Sequence, residues 1–466
     1  MRFAFALFLA SFTANAAISD PDWKAFAEEA MRHYQALVRL DTTNPPGNET
    51  RAVEYLKKVL EADGIASITG GVEPSRLNLI ARLKGNGTKK PVLLMGHTDT
   101  VTIDPKKWIK HGPFSADREG GYVYGRGTSD DKKSVVAYLM TILTLKRLNV
   151  PLERDVIFLA EASEEAGADK YGAKWVADHY RDQIAAEFCL AEGGGMRRQG
   201  GKLIMNSIQT GEKIPKGATL VAHGPAGHGS RPLPDNAVVE LAQAVAAVAA
   251  WTPPMRLNDT TRAYFERVAA ISSPEDAARF NSVLRSDKGS EVQAWFKQHD
   301  PAHYSMITTS ISPTIIKGGY QLNVIPSEAE AVLDIRMLPD EDQNAFYDAM
   351  RKIVNNPNVE VVPREALRPK TVPSSLNTDM FRALEKVEGR MFPGVRLIPT
   401  MSTGATDMAY MRELGTQCYG VGSATDVEDG PLGYGAHSDQ ERAREQDVQD
   451  FFRFAWNVVT EIAVRK

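Results

Sequence analysis

Imidazole and carboxylate side chains at the ends of apolar runs are the residues of this sequence that could do chemistry. His97 ends one such run, Glu165 follows a second and Glu192 follows a third. Short apolar runs of this kind are typical of buried parallel strands, and ligands of open α/β sheets gather at the carboxyl ends of those strands. With Asp130 and His437 the set comprises two imidazoles, one shared carboxylate and two terminal ones. Such a set suits zinc, and it predicts a two-metal site.

Two further acids are placed to assist this site. Asp99 follows His97 by two residues, as a partner that orients the ring would. Glu164 directly precedes Glu165, and because adjacent acids repel each other, a buried cation is a good reason to tolerate them. One of the two can bind metal while the other takes the proton of the attacking water. Taken singly, any of these acids would equally be a solvated loop residue or a helix N-cap.

A separate candidate is His228, which has a glycine on each side. Flanking glycines expose the ring and let backbone approach a ligand, so His228 could stabilise an oxyanion. The alternative is an ordinary turn histidine.

The elements that must position these residues follow from periodicity. Strands are predicted over 77–83 (edge or half-buried), 91–97, 156–160, 188–190, 218–222, 310–316, 329–337, 359–362 and 417–421. Helices are predicted over 23–40, 50–63, 132–147, 235–251, 340–354 and 378–387, with a closing helix after His437 that ends at 465. The stretch 258–304 is polar and helix-prone. An apolar strand followed by an acid occurs three times, which predicts an α/β fold with a mixed sheet between helices and its chemistry at one edge.

The order of predicted strands and helices changes near residue 211 and again near residue 368. Between these points the order is strand, helix, strand, strand, helix, strand, which predicts a compact inserted α+β domain. The expected organisation is therefore a signal peptide at 1–17, a catalytic domain at 18–210 and 369–466, and the inserted domain at 211–368.

Composition narrows the function classes. A formal net charge of −4 in 466 residues gives no electrostatic case for nucleic acid as a partner. Residues 1–17 have the basic start, short apolar core and small-residue exit of a signal peptide, too short to span a bilayer, so we expect a secreted or periplasmic protein without stable membrane insertion. The only cysteines, Cys189 and Cys418, lie in apolar runs, which favours two buried thiols over a disulfide, although spacing alone does not decide.

The motifs resemble those of the aminoacylase/carboxypeptidase family of dinuclear zinc peptidases, which includes acetylornithine deacetylase, succinyl-diaminopimelate desuccinylase, glutamate carboxypeptidase and aminoacylase-1. The resemblance covers nearly the whole mature chain. It rests on His97-Thr98-Asp99, Gly125-Arg126-Gly127 with Asp130 and Lys132, Glu164-Glu165-Ala166-Gly167, Glu192-Gly193, Gly227-His228-Gly229-Ser230, Thr406-Asp407 and His437.

The resemblance implies two Zn²⁺ per subunit, with Co²⁺ or Mn²⁺ able to substitute. It makes Asp130 the bridging carboxylate, with His97 and Glu192 on one zinc, and Glu165 and His437 on the other. It makes Glu164 the general base and acid and Asp99 the orienter of His97.

For the inserted domain, the resemblance implies a lid that also forms a homodimer. His228 would then stabilise the oxyanion, often from the neighbouring subunit, and Asn323, Arg336 and Gly404 would contact the substrate. On its chemistry alone, Arg336 is equally the partner in a salt bridge within the lid.

Two departures from the family pattern stand out. Many relatives carry an arginine two residues after the aspartate of the Thr-Asp motif, where this chain has Ala409. Its absence predicts weaker carboxylate recognition at that point and a bulkier or more apolar substrate. The stretch 258–304 is also longer than small members need, and it could extend the lid, alter the dimer interface or support a monomer.

Together these observations predict an exported two-zinc amide hydrolase for N-acyl amino acids or small peptides with a free C-terminal carboxylate. A dipeptidase of the same family is the first alternative, ranked lower because no acid outside the metal set is an obvious anchor for a free amino group. A catalytically silent binding protein on the same fold is the more distant one.

Overall fold

The computed structural model describes residues 20–167, 170–285, 287–366 and 368–464. The expected signal peptide at 1–17 lies outside these residues. Within them, no helix is both long enough and apolar enough to cross a bilayer.

The helices of the described residues are α1 Trp23–Val38, α2 Thr50–Ala62, α3 Lys132–Arg147, α4 Ala173–His179, α5 Arg181–Ile184, α6 Ala237–Ala250, α7 Asp259–Ala269, α8 Pro274–Val283, α9 Gly289–His299, α10 Pro301–Ile307, α11 Gln343–Val354, α12 Asp379–Met391, α13 Met408–Glu413 and α14 Glu445–Ala463. The strands are β1 Ser67–Gly70, β2 Asn78–Leu83, β3 Val92–His97, β4 Asp117–Glu119, β5 Tyr122–Tyr124, β6 Val156–Glu161, β7 Phe188–Ala191, β8 Gly195–Gln199, β9 Lys202–Glu212, β10 Ile214–His223, β11 Gly227–His228, β12 Ser310–Gly318, β13 Val324–Ile325, β14 Glu328–Met337, β15 Val359–Pro363, β16 Leu397–Ser402, β17 Gln417–Gly420, β18 Thr425–Asp426 and β19 Arg442–Arg444.

A ten-stranded mixed sheet organises most of the chain. Its order is β1-β2-β6-β3-β7-β17-β9-β8-β18, with β16 also paired to β9. The central strands β6, β3, β7 and β17 are parallel to one another. Helices α1, α2, α3, α12 and α14 pack apolar side chains on one face, and α4 and α13 cover the other. This confirms the predicted α/β fold with a mixed sheet between helices.

A smaller antiparallel sheet has the order β12-β14-β10-β15. Burial alternates along β14, as expected for a sheet with one covered face. The apolar side chains of that face pack against α6 and α11. The chain passes from the large sheet to the small one at Lys213, between β9 and β10. The division of the chain at residues 211 and 368 stays a prediction.

The helix-prone stretch 258–304 forms α7 to α10. Their apolar side chains, including Phe265 and Phe296, form a core together with Ile398 and Met401 of β16. Polar contacts reinforce this packing: Thr210 of β9 bonds to Thr260 (2.8 Å), and Arg267 donates to the carbonyl of Leu397 (3.0 Å). The same core includes Leu338, the residue after β14, so the four helices contact strands of the large sheet and one end of the small sheet.

The observed strands differ from the prediction in several places, and β1, β4, β5, β8, β11, β13, β18 and β19 were not predicted. β2 is not an edge strand, because β1 and β6 pair with it on both sides. β9 and β16 were not predicted at all. β9 buries polar side chains, which hides its alternation, and each has a partner: Asn206 donates to Glu388 (2.6 Å) and Gln209 to Glu212 (3.0 Å).

The two cysteines are buried free thiols, as the sequence favoured. Cys189 of β7 and Cys418 of β17 lie directly opposite each other on adjacent parallel strands. Burial raises the pKa of Cys189 well above its ordinary value, so this thiol is unreactive as a nucleophile.

Candidate metal centre

Three adjacent parallel strands deliver the first group of site residues to one edge of the large sheet. His97 is the last residue of β3 and lies opposite Glu161, the last residue of β6. Glu164 and Glu165 follow β6, and Glu192 directly follows β7. The repeated pattern of strand then acid thus places its acids at one edge, because neighbouring parallel strands end together.

The remaining two residues of the predicted metal set come from loops. Asp130 lies two residues before α3, and His437 lies in the loop between β18 and β19. One cluster has His97 Nε2 at 3.1 Å from Asp130 Oδ1 and 3.3 Å from Glu192 Oε2. The other has His437 Nε2 at 3.2 Å from Asp130 Oδ2 and 3.1 Å from Glu165 Oε2. Each oxygen of Asp130 therefore faces a different imidazole, as a bridging carboxylate requires.

The donor set fits two divalent cations. Ligand atoms that each lie about 2.1 Å from a tetrahedral zinc stand roughly 3.4 Å apart, close to the spacings within both clusters. The donors are nitrogen and oxygen only, which suits zinc and also permits cobalt or manganese. Asp131, whose Oδ2 is buried without a hydrogen bond, is grouped with His97 and Glu192, so a third carboxylate borders that position.

The electrostatics of the cluster also point to a cation. Burial raises the pKa of Glu192 to about 8, even though His97 opposes the shift. Hydrogen bonds to Asp130 and Glu165 raise the pKa of His437 to about 10. Burial raises the pKa of Glu164 well above its usual range, and the carboxylates of Glu192 and Asp407 add to the shift. In the metal-free site these raised pKa values keep protons on the side chains. A bound divalent cation would neutralise the same negative charge in place of those protons.

Asp99 supports both halves of the site. Its carboxylate accepts the backbone N–H groups of Glu164 (3.1 Å) and Glu165 (3.2 Å) and the amide of Asn44 (2.9 Å). Towards His97 the nearest acceptor for Nδ1 is the carbonyl of Asp99, at 3.1 Å, and the carboxylate follows at 3.4 Å. Asp99 thus offers Nδ1 of His97 two acceptors, and its role as the orienter of the ring stays a prediction.

Glu441 is a site residue that sequence reasoning missed. It is fully buried, and its carboxylate accepts the N–H groups of Ser129 (2.6 Å) and Asp130 (3.2 Å) as well as Arg126 Nη1 (2.6 Å). It lies four residues after His437, so it ties the loop of one predicted ligand to the loop of another. Its only sequence signal is the charge match with Arg126 of the Gly-Arg-Gly motif.

Arg368 was also missed, and its guanidinium lies close to the carboxylates of Glu164 and Asp407. Its Nη2 lies 2.8 Å from Asp407 Oδ1 and 3.7 Å from Glu164 Oε1. Its Nη1 donates to the hydroxyl of Tyr410 (3.3 Å). Asp407 lies two residues before Ala409 and Tyr410 directly follows it, and Ala409 is itself buried. A guanidinium therefore lies near Ala409, where the sequence predicted that a cation is missing, but it comes from a distant part of the chain.

The predicted substrate residues lie apart from the metal cluster. His228 of β11 is exposed, and its Nδ1 accepts the hydroxyl of Ser230 (2.8 Å). The N–H of Gly229 donates to the carbonyl of Asn323 (2.8 Å), so the predicted residues His228 and Asn323 are neighbours. Among the described residues, no hydrogen bond or ion pair joins either to the metal set.

Arg336 and Gly404 have local partners. Arg336 of β14 forms a two-pronged ion pair with Asp334 (2.9 and 3.2 Å), which is the salt bridge the sequence allowed. Gly404, in the loop between β16 and α13, donates its N–H to Ser402 Oγ (3.1 Å). Two residues later, Thr406 donates to the buried Glu212 at the end of β9.

Sequence comparisons relate this chain to metallopeptidases. The profile of the peptidase family M20/M25/M40 matches residues 93–460. A probable carboxypeptidase S-like 2 of Dictyostelium discoideum is 29% identical over 355 residues, covering 71% of this chain and 66% of the relative. A probable succinyl-diaminopimelate desuccinylase of Staphylococcus aureus is 26% identical over 384 residues, covering 82% of this chain and 86% of the relative. The human N-fatty-acyl-amino acid synthase/hydrolase PM20D1 is 28% identical over 338 residues, covering 71% and 66%.

Solved structures share the fold. An M20 family metallo-carboxypeptidase from Sulfolobus solfataricus superimposes with a TM-score of 0.68 at 19% identity, covering 92% of this chain and 98% of that one. A dinuclear metal-binding peptidase of the M20 family from Bacillus subtilis gives 0.60 at 14% identity, covering 94% and 99%.

Proposed function

Because the chain belongs to the peptidase family M20/M25/M40, we propose that it is a two-zinc amide hydrolase for N-acyl amino acids or small peptides with a free C-terminal carboxylate. The family assignment makes it a metal-dependent hydrolase. The nature of the metal, the substrate class, the assembly and the compartment are parts of the proposal.

One observation carries the proposal. Two imidazole–carboxylate clusters share Asp130, and the carboxylate of Glu164 lies beside them without being one of the paired acids. A site that only stored metal would need no additional acid held apart from the ligands. A hydrolase needs one, because a group must carry the proton from the attacking water to the leaving nitrogen.

The proposed mechanism assigns a separate task to each residue. His97, Glu192, Glu165 and His437 would hold two cations across Asp130, and the cations, when bound, would polarise the amide carbonyl and acidify water. Glu164 takes a proton from the water that attacks the amide carbon and then gives it to the leaving nitrogen. Asp99 keeps Glu164 and Glu165 in place through their backbone N–H groups.

Arg336 and the named relatives support this substrate class. Asp334 engages the Nε and Nη2 edge of Arg336, and in the described part of the chain no hydrogen bond engages Nη1. That side of the guanidinium would bind the carboxylate of the substrate. Relatives named as a carboxypeptidase, a desuccinylase and an N-fatty-acyl-amino acid hydrolase support a substrate with an acylated nitrogen and a free carboxylate.

A homodimer through the small sheet is part of the proposal. β12 is the edge strand of that sheet, and its Ile315 and Ile316 are 47% and 63% exposed. Val238 and Val239 of α6 extend this apolar surface, with Val238 beside Gly318. An exposed edge with apolar neighbours is suited to pairing with a second copy. The exposed His228 would then reach the site of the neighbouring subunit, where it would stabilise the oxyanion.

Export rests on residues 1–17 alone. Determination of the N-terminus of the protein purified from its native host tests it, and cleavage near Ala16 or Ala17 is the expected result.

The experiment that tests the function is hydrolysis of a matched substrate panel by zinc-loaded protein. The panel holds N-acyl amino acids of varied acyl length, the corresponding unblocked dipeptides, and C-terminally amidated versions of both. We expect cleavage of the acylated, free-carboxylate members, and loss of cleavage with a chelator. Preference for unblocked dipeptides would make the protein a dipeptidase, and equal cleavage of amidated members would remove Arg336 from its role.

A further inference from the structure

We infer that Arg368 is a positioning residue that fixes Glu164, and this inference rests on the proposed function of Glu164 as the base. Arg368 is 4% exposed and lies 204 positions from Glu164 in the chain. Its guanidinium reaches the side chain and the backbone of Glu164 together with the buried carboxylate of Asp407.

The segment that carries Glu164 needs such support. Residues 162–167 lie outside helices and strands, and Ser163 has a φ of +65°, so no regular ladder of backbone bonds fixes their course. A non-glycine residue in this conformation persists only where its surroundings hold it. The position of the Glu164 carboxylate therefore depends on contacts from other parts of the chain.

Asp99 and Arg368 provide those contacts in complementary ways. Asp99 accepts from the backbone N–H groups of Glu164 and Glu165. Arg368 donates to the carbonyls of the same segment, through Nη1 to Gly167 (2.9 Å) and through Nη2 to Glu164 (3.4 Å). The acid binds the donors of the segment and the arginine binds its acceptors.

Arg368 also lies between the carboxylates of Glu164 and Asp407. Asp407 is 1% exposed, and its negative charge acts on Glu164. The Arg368 Nη2 atom lies between them, at 2.8 Å from Asp407 and 3.7 Å from Glu164. Without this cation, repulsion between the two carboxylates would turn Glu164 away from its working position.

An arginine is required because the contacts diverge. The planar guanidinium presents donors in several fixed directions, whereas a lysine offers one compact charge. Lysine at position 368 would keep the charge opposite Asp407 but lose part of the hydrogen bonding to the Gly167 carbonyl and the Tyr410 hydroxyl. We therefore expect Arg368→Lys to behave as a partial replacement and Arg368→Met as a full loss.

The test combines kinetics with backbone hydrogen exchange in the zinc-loaded full chain. For Arg368→Met we expect kcat to fall by about 10²-fold, the penalty typical of a misplaced group, with KM within about threefold of the unsubstituted value. Zinc content should stay the same. The peptide that covers residues 162–167 should exchange roughly tenfold faster. Arg368→Lys should recover part of the loss in kcat.

Arg154→Met is the matched control. Arg154 is equally buried and binds two carbonyls, of Ile462 (3.0 Å) and Lys90 (2.9 Å), and one carboxylate, of Glu187 (2.9 Å), but it lies before β6, at the other end of the sheet. This variant should lower the melting temperature and leave kcat of the folded enzyme and exchange at 162–167 unchanged.

The outcomes separate this inference from the proposed function. Unchanged exchange at 162–167 in Arg368→Met overturns the inference, whatever the substrate. Faster exchange with an unchanged kcat also overturns it, because Arg368 would then be structural only. If the unsubstituted protein cleaves no member of the substrate panel, the proposed function fails, and the exchange result still decides whether Arg368 fixes the Glu164 segment.

Discussion

Glu164 and Glu165 are adjacent in the chain, yet they face different groups. Glu165 lies 3.1 Å from His437 Nε2, within a metal cluster, whereas Glu164 lies beside the Arg368 guanidinium. At the scale of single residues, this divergence separates a proposed ligand from a proposed base. Two carboxylates with the same intrinsic chemistry thus acquire different tasks from their surroundings.

Glu164→Gln should therefore lower kcat strongly and leave the metals bound. We expect a loss of about 10²- to 10⁴-fold, the range that proton transfer by a positioned group contributes, with two zinc ions retained per chain. Kinetics and metal analysis of the same preparation measure both effects. Glu54→Gln, on the exposed face of α2, is the control and should change neither. Near-normal turnover of Glu164→Gln with bound metal would show that another group is the base.

The metal-free protein should lose stability as the pH rises. The pKa of His437 is about 10, above its ordinary 6.5, so its ion pairs stabilise fully below 6.5 and are lost as the pH passes 10. The pKa of Glu192 is about 8, above its ordinary 4.5, so its buried carboxylate becomes charged at a cost between those values. Both effects have the same sign. The melting temperature in chelator should fall from about pH 6 to about pH 9.

Zinc should reverse this trend, because a cation replaces the protons at the same carboxylates and imidazoles. The gain in melting temperature on adding zinc should therefore grow between these two pH values. Differential scanning fluorimetry with and without zinc measures it. In His437→Gln the pH dependence in chelator should become shallower. A melting temperature in chelator that is flat over the range would contradict the assigned pairings.

At the scale of elements, periodicity predicted the parts of the fold that bury one clear apolar face. α3 has the predicted bounds, and β3, β6 and β7 lie where the apolar runs are. β9 was missed because its buried side chains include Asn206, Gln209 and Thr210, whose polar partners lie in α12, in β9 itself and in α7. The polarity pattern of a sequence predicts a buried strand only where the buried side chains are apolar.

The same limit applies to the site. The five metal candidates and Asp99 could be proposed from the sequence because each lies next to a strand or within a short motif, and the structure brings all six close together. Arg368 and Glu441 were not found, because their partners lie 204 and 315 positions away in the chain. Nothing in the neighbouring residues marks an arginine or a glutamate as the partner of a distant loop. Such contacts follow from the fold rather than from local sequence.

The core formed by α7 to α10 should be sensitive to the loss of one aromatic side chain. Phe296 of α9 is fully buried among Phe265, Phe280 and the strand β16 side chains Ile398 and Met401. Phe296→Ala should lower the free energy of unfolding by about 3–5 kcal/mol, since it removes buried surface and leaves a cavity. Urea denaturation followed by circular dichroism measures it.

Ile109→Ala is the control for this substitution, because Ile109 is 87% exposed, and we expect a change within about 0.5 kcal/mol. A loss below about 1 kcal/mol for Phe296→Ala would mean that these helices can repack around the gap.

At the scale of the whole molecule, the separation of His228 from the metal cluster leads to a complementation experiment. Glu164→Gln and His228→Ala are each expected to be nearly inactive. In a mixed dimer, the subunit that keeps Glu164 would receive His228 from its partner. Mixing and reassembling the two variants should therefore restore about a quarter of the normal activity, since half of the dimers are mixed and each has one complete site.

Analytical ultracentrifugation should show the dimer, and Ile316→Lys on the β12 edge should dissociate it and abolish the complementation. Activity restored by monomers, or no restoration from a verified mixed dimer, would place His228 outside the site of the neighbouring subunit.

Helices α7 to α10, which contact both sheets, also determine how the protein unfolds. Their core contains Ile398 and Met401 of the large sheet together with Leu338, the residue that follows β14 of the small one. Lys213, at the crossing between the sheets, donates to the carbonyls of Ser305 in α10 and of Thr308 just after it. Loss of either sheet would strip the apolar cover from these helices and so weaken the other. Heating should therefore give a single calorimetric peak. The protein would unfold as one cooperative unit, although its two separate sheets alone would suggest two unfolding transitions.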